Sequence, residues 1–281
     1  MVKIQRELFF VETAEKTIIC KGKGAFRKKN KRPFVGDIVR IRMSDEEDLG
    51  LIEEIQPRYS RLLRPPVVNI DILLIINAIH SPELQSALLD KYILMAYRSK
   101  IQPILVFTKA DLATDQEIEY WKKMYQKIGI SCYHSSRNKI PFEIKNQLNN
   151  KTTAVAGPSG AGKSTLLNAL FGFNFETGTI SDKTGRGKQT TRHIELKKIG
   201  RDSFIMDTPG FSSLSLDFIK EEEEIKNYFP EFQDKVCKFY NCNHLKEPSC
   251  GVKTAVEEGE ISESRYQSYQ LFFHEFKSMR R

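Results

Sequence analysis

The stretch GPSGAGKST, residues 157–165, constrains the fold of this chain more than any other segment. An apolar run, TTAVA, precedes it, and the helix-forming stretch STLLNAL overlaps its end. Between a strand and a helix N-terminus, glycines let the backbone N–H groups of such a loop turn toward phosphate oxygens, and the helix dipole adds positive charge. The segment therefore predicts an α/β domain with a strand, a phosphate-binding loop and a helix in that order.

The residues of this loop are candidate contacts to a nucleoside triphosphate. We expect Lys163 to reach the β- and γ-phosphates, where it also serves as a catalytic residue, and Ser164 to bind Mg²⁺. The motif alone does not separate ATP from GTP. The candidate contacts are Gly157, Pro158, Ser159, Gly160, Ala161, Gly162, Lys163, Ser164 and Thr165.

A second motif, FTKADL at residues 107–112, favours guanine. The Asp111 carboxylate can accept hydrogen bonds from guanine N1–H and the 2-amino group, whereas adenine would leave it unpaired at a cost on the order of several kcal/mol. Lys109 can lay its alkyl stem over the base, and Thr108 stands where such loops usually carry Asn. The predicted guanine contacts are Thr108, Lys109, Ala110 and Asp111, joined by Ser135 and Ser136 after the run ISCYH.

Two further segments have the composition of nucleotide-sensing switches. DTPG follows the apolar run SFIM, so Asp207 is expected to hold Mg²⁺ through water and the Gly210 N–H to contact the γ-phosphate. Upstream, SDKTGRGKQTTRH is polar and rich in turn formers, and either Thr190 or Thr191 would complete the Mg²⁺ shell. Phe211 occupies the position where many GTPases use Gln to orient the attacking water, so we expect slow intrinsic hydrolysis.

The pattern of apolar residues predicts three domains. Residues 1–64 alternate short apolar stretches with turns, which predicts a five-stranded OB-like barrel, and RPP at residues 64–66 is a predicted linker. Residues 65–218 alternate apolar strands with amphipathic helices, which predicts a mostly parallel sheet with the motifs at the carboxyl ends of its strands. Residues 219–281 are predicted to be helical, and the aromatic stripe of the last helix is expected to pack in a core against the Cys/His cluster, with a partner-binding face as the alternative.

Three cysteines and one histidine cluster in the last predicted domain. Cys237, Cys242, His244 and Cys250 supply three thiolates and one imidazole within fourteen residues. This donor set suits tetrahedral Zn²⁺ with no coordination position left open, which indicates a structural site. The alternative is a set of ordinary thiols beside a surface histidine.

Positive charge is concentrated in KGKGAFRKKNKR, residues 21–32, within a chain of net charge +8. Such a segment is either a solvated loop or a contact to nucleic-acid phosphates. No run of about 18 apolar residues appears, and the N-terminus lacks a signal-peptide pattern, so we expect a cytoplasmic protein with no membrane partner. The candidate RNA-binding residues are Lys21, Lys23, Arg27, Lys28, Lys29, Lys31 and Arg32.

The order of these features is β-barrel, TKAD, SS, GPSGAGKS, QTT, DTPG and CxxxxCxHxxxxxC, and it resembles the RsgA (YjeQ) family of circularly permuted GTPases. The resemblance covers essentially the whole chain. It implies an N-terminal OB-fold, an α/β circularly permuted P-loop GTPase domain and a C-terminal helical zinc-binding domain, with one structural Zn²⁺ and with Mg²⁺ bound alongside GTP.

The same resemblance implies a function. Members of the family bind the small (30S) ribosomal subunit and its 16S rRNA late in maturation and hydrolyse GTP there, and we expect this chain to do so as a monomer. Members commonly carry His at the position of Gln189. Gln189 is therefore a candidate catalytic residue, one that can orient water but cannot take a proton near neutral pH.

Two other functions stay open at this stage. The chain is compatible with a P-loop NTPase, either an ATPase that acts on other substrates or an RNA-binding switch outside ribosome assembly. Nucleotide competition would identify an ATPase, because Asp111 predicts GTP over ATP. It is also compatible with an RNA-binding module whose nucleotide site is inactive. Lys163, Ser164 and Asp207 are all present, which argues against an inactive site.

Overall fold

The N-terminal part of the chain forms a five-stranded sheet, as its short apolar stretches predict. The computed structural model describes residues 1–22, 32–44, 49–63, 65–175, 194–207, 216 and 219–280. The sheet has the order β1-β2-β3-β5-β4, with β3 parallel to β5 and the other neighbours antiparallel. Cys20 and Ile52 are sealed inside it, in agreement with the predicted barrel. Its strands are β1 (Lys3–Gln5), β2 (Leu8–Glu12), β3 (Thr17–Gly22), β4 (Val39–Met43) and β5 (Leu49–Ile55).

Pro65 and Pro66, part of the predicted linker, lie instead in the turn of a hairpin. Strands β6 (Arg61–Leu62) and β7 (Val67–Val68) pair antiparallel on either side of them. One side of the hairpin is buried, because Leu62 and Val67 belong to the core of the central domain, while Leu63 is exposed. Prolines cannot donate to a strand ladder but fit a turn, so the residues that suggest a linker close a short hairpin.

The first residues of the chain also pair with the central domain. The Leu196 N–H donates to the Val2 carbonyl at 2.8 Å. Lys198 Nζ donates to a Glu12 carboxylate oxygen at 2.8 Å, and this bond holds the pKa of Glu12 below its usual value. The residues that follow the first predicted switch are therefore attached to the barrel.

The central domain is built on a six-stranded sheet of order β10-β9-β8-β11-β13-β12. Every neighbouring pair is parallel except β12 with β13, as the alternation of strands and helices predicts. All seven residues of β8 are buried, which fits a strand covered on both faces. The strands are β8 (Ile72–Ala78), β9 (Gln102–Thr108), β10 (Ser131–His134), β11 (Thr152–Ala156), β12 (Lys197–Gly200) and β13 (Ser203–Asp207).

Helices cover both faces of this sheet. On one face, Tyr92 of the first helix packs with Ile75 and Phe107. On the other face, Leu167 of the fourth helix packs with Ile76. The helices are α1 (Ser86–Arg98), α2 (Asp115–Gln126), α3 (Ile144–Leu148) and α4 (Lys163–Phe171).

The C-terminal part is helical, but less regularly than predicted. The acidic run beginning at Glu221 forms a 3₁₀ helix, Glu222–Tyr228, rather than an α-helix. The last segment divides into α5 (Gly251–Glu257) and α6 (Glu263–Met279), because Gly259 between them adopts a φ of 74°. The aromatic stripe is buried, as predicted, at Tyr269, Phe272, Phe273 and Phe276. Among the described residues, no helix is long and apolar enough to span a membrane.

Candidate nucleotide site and zinc centre

The predicted nucleotide segments meet at one edge of the central sheet. The base loop follows β9 and the phosphate loop follows β11, while Ser135 follows β10 and Asp207 ends β13. The chain runs outward from β8 to β10 and then returns to β11 on the other side of β8. The boundary between β8 and β11 is thus a topological switch point, where open α/β sheets bind their ligands.

The phosphate loop begins at a position that accepts only glycine. Gly157 has a φ of 139°, and a Cβ atom there would lie 1.9 Å from the carbonyl oxygen of Ile76 in β8. Gly160 and Gly162 also adopt positive φ values, of 77° and 81°. The backbone therefore takes a course that side chains would block, as expected of a loop that turns its N–H groups toward phosphate.

Helix α4 begins directly after this loop. Gly162 is its N-cap and no acidic side chain lies in its first turn, so the helix N-terminus offers N–H groups and positive dipole to an anion. Lys163 Nζ lies over the loop, donating to the carbonyls of Gly157 at 3.1 Å and Pro158 at 2.8 Å. Ser164 follows it, half-buried.

Thr108 ties the base loop to the phosphate loop. Its hydroxyl is buried and donates to the Ala161 carbonyl at 2.5 Å. The same hydroxyl lies 3.3 Å from the carbonyl oxygen of Asn77 at the end of β8. Threonine thus joins the two loops without the amide that such loops usually carry at this position. Two motifs separated by 53 positions in sequence are neighbours in space.

Backbone hydrogen bonds hold the rest of the base loop. The Ala110 N–H donates to the Ser135 carbonyl at 3.0 Å, which brings the Ser135–Ser136 segment against the loop. Lys109 adopts a left-handed φ of 53°, and its ammonium donates to the Ser81 carbonyl. Asp111 lies in the 3₁₀ turn that follows and is exposed.

The segment His80–Pro82 also borders the site, and sequence reasoning missed it. His80 Nε2 lies 3.1 Å from Glu117, which caps α2 by accepting the Thr114 N–H at 2.8 Å. The carboxylates of Glu83 and Glu117 raise the pKa of His80. Its sequence signal is weak, because a histidine and a proline after a strand are also typical of an ordinary loop. The side chains that sequence analysis left unassigned here are His80, Ser81 and Pro82.

Several predicted site residues lie outside the described part of the chain. For Asp207 the structure gives the backbone in β13, paired with Val155 of β11. Of the basic segment, Lys21 and Arg32 are described and both are exposed. The remaining residues outside the described ranges are Gln189, Thr190, Thr191, Gly210, Phe211, Lys23, Arg27, Lys28, Lys29 and Lys31.

The predicted zinc ligands converge in the C-terminal domain. One donor atom from each of Cys237, Cys242, His244 and Cys250 lies within 4.8 Å of all the others. The Cys237 and Cys250 sulfurs are 3.8 Å apart, and His244 Nδ1 lies 3.5 Å and 3.4 Å from them. Tetrahedral Zn²⁺ with bonds of about 2.3 Å to sulfur and 2.0 Å to nitrogen requires sulfur–sulfur distances of about 3.8 Å and sulfur–nitrogen distances of about 3.5 Å. The donor set and its spacing fit one structural zinc ion.

Hydrogen bonds and aromatic rings support this cluster from outside. The His244 N–H donates to Cys242 Sγ at 3.3 Å, and the Tyr266 hydroxyl donates to the His244 carbonyl at 2.6 Å. The Phe232 ring packs edge-on against the imidazole, with centroids 5.6 Å apart. Because these groups come from several elements, the zinc ligands join the 3₁₀ segments to α6.

Comparison with known proteins gives the same architecture. Residues 55–217 match the family described as RsgA GTPase, and residues 1–52 match the RsgA N-terminal domain. A relative from Alkaliphilus metalliredigens, named small ribosomal subunit biogenesis GTPase RsgA, is 41% identical over 97% of this chain and 95% of its own.

Solved structures agree. A crystal structure of YjeQ from Thermotoga maritima is 35% identical, with a TM-score of 0.84, over 98% of this chain and 96% of its own. A structure of YloQ, described as a circularly permuted GTPase, is 36% identical with a TM-score of 0.81, over 99% of this chain and 94% of its own.

These matches confirm the predicted fold class and the predicted enzyme class. The base-loop strand β9 precedes the phosphate-loop strand β11 in sequence, and this order is the circular permutation that the motif order predicts. In the sheet, β9 and β11 lie on either side of β8. A GTPase of this class hydrolyses GTP with Mg²⁺. The chain belongs to the RsgA GTPase family.

Proposed function

We propose that this GTPase binds the small ribosomal subunit during biogenesis of the subunit and leaves it after hydrolysing GTP. The observation that carries the proposal is the alignment of relatives named for this process over nearly the whole chain, including the barrel and the zinc domain. The motifs that bind and hydrolyse GTP in this proposal all lie in the central domain, so the flanking domains are available for contacts to a partner. The protein acts in the cytoplasm as a monomer, and 16S rRNA is its ligand on the subunit.

The two loops that Thr108 joins form the GTP site in this proposal. The phosphate loop and the α4 N-terminus bind the phosphates, and Lys163 exchanges its contacts to loop carbonyls for phosphate oxygens. Asp111 accepts from the guanine edge, while Lys109 covers the base face. The bond between Thr108 and Ala161 sets the distance between the base end and the phosphate end of the site. The proposed contacts otherwise follow the motif positions, from Ala110 and Ser135–Ser136 to Gly210.

Hydrolysis in this proposal uses few protein groups. Mg²⁺ bound with GTP would neutralise negative charge that develops on the phosphates. Ser164, Asp207 and one of Thr190 or Thr191 would hold it. Lys163 stabilises charge on the transferred phosphoryl group, and Gln189 orients the attacking water. Phe211 offers no such amide, which makes intrinsic turnover slow without the subunit.

Contacts at both ends of the chain would grip rRNA. The basic segment from Lys21 to Arg32 supplies phosphate contacts from the barrel, and the zinc domain supplies the second grip. DTPG leads within about thirty residues into the zinc domain, so loss of the γ-phosphate at Gly210 can change how that domain is held. Releasing one of two linked grips lowers affinity sharply.

Co-sedimentation with purified small subunits tests this function. With a non-hydrolysable GTP analogue the protein is expected to pellet with the subunits, and with GDP it is expected to stay mostly in the supernatant. Phosphate release should rise when subunits are added to protein and GTP. Equal pelleting in the two nucleotide states, with no stimulation of phosphate release, would contradict the proposal.

Asp111→Asn tests the assignment of the base site. The amide can accept from guanine N1–H but cannot accept from the 2-amino group, so GTP affinity is expected to fall about a hundredfold, while XTP affinity rises because xanthine offers an oxygen there. Fluorescent-nucleotide competition measures both. The matched control is Asp115→Asn, an exposed carboxylate in the first turn of α2, for which we expect less than about a twofold change. Unchanged GTP preference in Asp111→Asn would remove Asp111 from the site.

A further inference from the structure

Helix α1 contacts the phosphate loop through Tyr92. The Tyr92 side chain is fully buried in the core cluster that also holds Ala156, the residue before the loop, and a hydrogen bond with the Gly157 backbone opposes the rise that burial causes in the pKa of its hydroxyl. Burial raises the pKa of Tyr92 to about 12, so the hydroxyl stays neutral at physiological pH. Gly157 opens the phosphate loop and lies against the backbone of β8. A shift of α1 would therefore move the first residue of the loop.

The same helix contacts the C-terminal domain through Asp90. This carboxylate is buried, and its Oδ1 accepts from Arg265 Nη1 of α6 at 2.6 Å. The Tyr125 hydroxyl of α2 donates to the same oxygen at 2.9 Å. Leu94, one turn further along α1, lies in the C-terminal core rather than in that of the central domain. One helix thus has one side in each domain.

Arg265 is itself held on several sides. Its Nε and Nη2 donate to the two carboxylate oxygens of Glu231, at 2.8 Å and 3.3 Å. The guanidinium carbon lies 4.6 Å from the centroid of the Phe229 ring and 5.8 Å from that of the Tyr125 ring. A planar guanidinium makes these paired contacts, and an ammonium at the same place cannot reproduce them.

Weakening this contact has a direct consequence for α1. Burial raises the pKa of Asp90 and Arg265 opposes that rise, so the carboxylate depends on the guanidinium for its charged state. Without the Arg265 guanidinium, the buried Asp90 carboxylate would lose its charged partner. That loss favours either a displacement of α1 or protonation of the carboxylate. The interior is closely packed, so α1 moves as a unit. A displacement of α1 at Asp90 therefore also moves Tyr92, which lies two residues further along the same helix.

We propose that Arg265, a residue of the C-terminal domain, is a positioning residue for the phosphate loop and acts through Asp90 and Tyr92 of α1. The inference concerns nucleotide binding by the isolated protein. It therefore stands or falls independently of the ribosomal role proposed above. It adds a second connection between the GTP site and the zinc domain, beside the covalent one that runs through DTPG.

Equilibrium binding of a fluorescent GTP analogue to the full chain with zinc tests the proposal. Tyr92→Phe removes one hydroxyl and is expected to weaken binding about threefold to tenfold. Arg265→Lys keeps the charge, contacts no nucleotide and is expected to weaken binding by a similar factor. If both substitutions act along one route, the dissociation constant of the double variant should be no more than about twice that of the single variant that binds more weakly.

The control is Glu275→Gln, which breaks a different α1–α6 pair, that with Lys91 at 2.7 Å and 2.8 Å. Because this pair is partly exposed, whereas the Asp90–Arg265 pair is buried, its loss should lower the thermal unfolding temperature slightly and change nucleotide affinity by less than about twofold. Circular dichroism and thermal unfolding in parallel establish that each variant is folded at the assay temperature. The proposal is overturned if folded Arg265→Lys binds like the wild type, if Glu275→Gln weakens binding as much, or if the double variant shows the product of the two single effects.

Discussion

Gly157→Ala is expected to lose nucleotide binding by about a hundredfold or more, while the central domain stays folded. The added Cβ would lie 1.9 Å from the Ile76 carbonyl oxygen, and backbone rather than a flexible side chain must move to relieve it. The φ of 139° is also strained for alanine. A displacement of about 1 Å at a positioned loop can cost two orders of magnitude. Titration with a fluorescent GDP analogue measures the loss.

Gly172→Ala is the matched control. Gly172 ends α4, the helix that the phosphate loop begins, and it also has a positive φ, of 69°. Within the described ranges, no atom other than those of its chain neighbours and its own helix backbone lies within 4 Å of a Cβ built there, so the substitution adds backbone strain of about 1 kcal/mol without a clash with the described residues. We expect its nucleotide affinity to stay within about twofold of the wild type. Normal binding by Gly157→Ala would show that the loop can adjust and would remove the steric argument.

Cys242→Ser is expected to abolish stoichiometric zinc binding and to unfold the region around the cluster. A structural zinc site of this type contributes about 10–16 kcal/mol of apparent binding free energy to folding. The segment from Cys237 to Cys250 contains no helix or strand of its own, so losing one ligand is expected to loosen that segment even where the aromatic core around Phe232 and α6 persists. Elemental analysis should fall from about one zinc per chain to nearly none, and limited proteolysis should cut between residues 222 and 250.

Cys132→Ala provides the comparison for the zinc variant. Cys132 is buried in the central core, and burial raises the pKa of its thiol to about 12, so it stays a neutral, packed side chain. Its loss costs packing of about 1 kcal/mol and no zinc. A Cys242→Ser protein that retains a full zinc equivalent, or that resists protease like the wild type, would show that the cluster does not hold the metal.

The parts of this protein that sequence predicts best are those in which chemistry demands particular residues at fixed spacing. Gly157 is one such case, because no other residue fits against β8, and the Cys237–Cys250 cluster is another, because zinc needs soft ligands at close range. Both motifs can be recognised in a single sequence, because their chemistry fixes the residue types and the spacing. The family and the fold class follow from the order in which such motifs occur.

What sequence could not predict depends on contacts between distant segments. Tyr92 is 65 positions from Gly157 in the sequence, and Asp90 is 175 positions from Arg265. Tyrosine usually contributes to packing, and aspartate and arginine usually face solvent, so nothing in the sequence indicates these contacts. The proline pair after Arg61–Leu62 suggests an interdomain linker, yet it lies in the turn of a hairpin because β6 and β7 pair with each other on either side of it. The low strand propensity of proline predicts that a strand ends there, but it does not predict that the two flanking segments pair with each other.

The attachment of the barrel to Leu196 means that the N-terminal domain completes the edge of the GTPase sheet. A shortened chain without residues 1–52 would leave the Leu196 N–H without its Val2 carbonyl, and Lys198 without Glu12, at an outer strand. Exposed strand edges pair with other chains and promote aggregation. Removing residues 1–52 would thus remove the proposed RNA contact and would also expose a sheet edge that promotes aggregation. Point substitutions in the basic segment would therefore test the proposed RNA contact more cleanly than truncation.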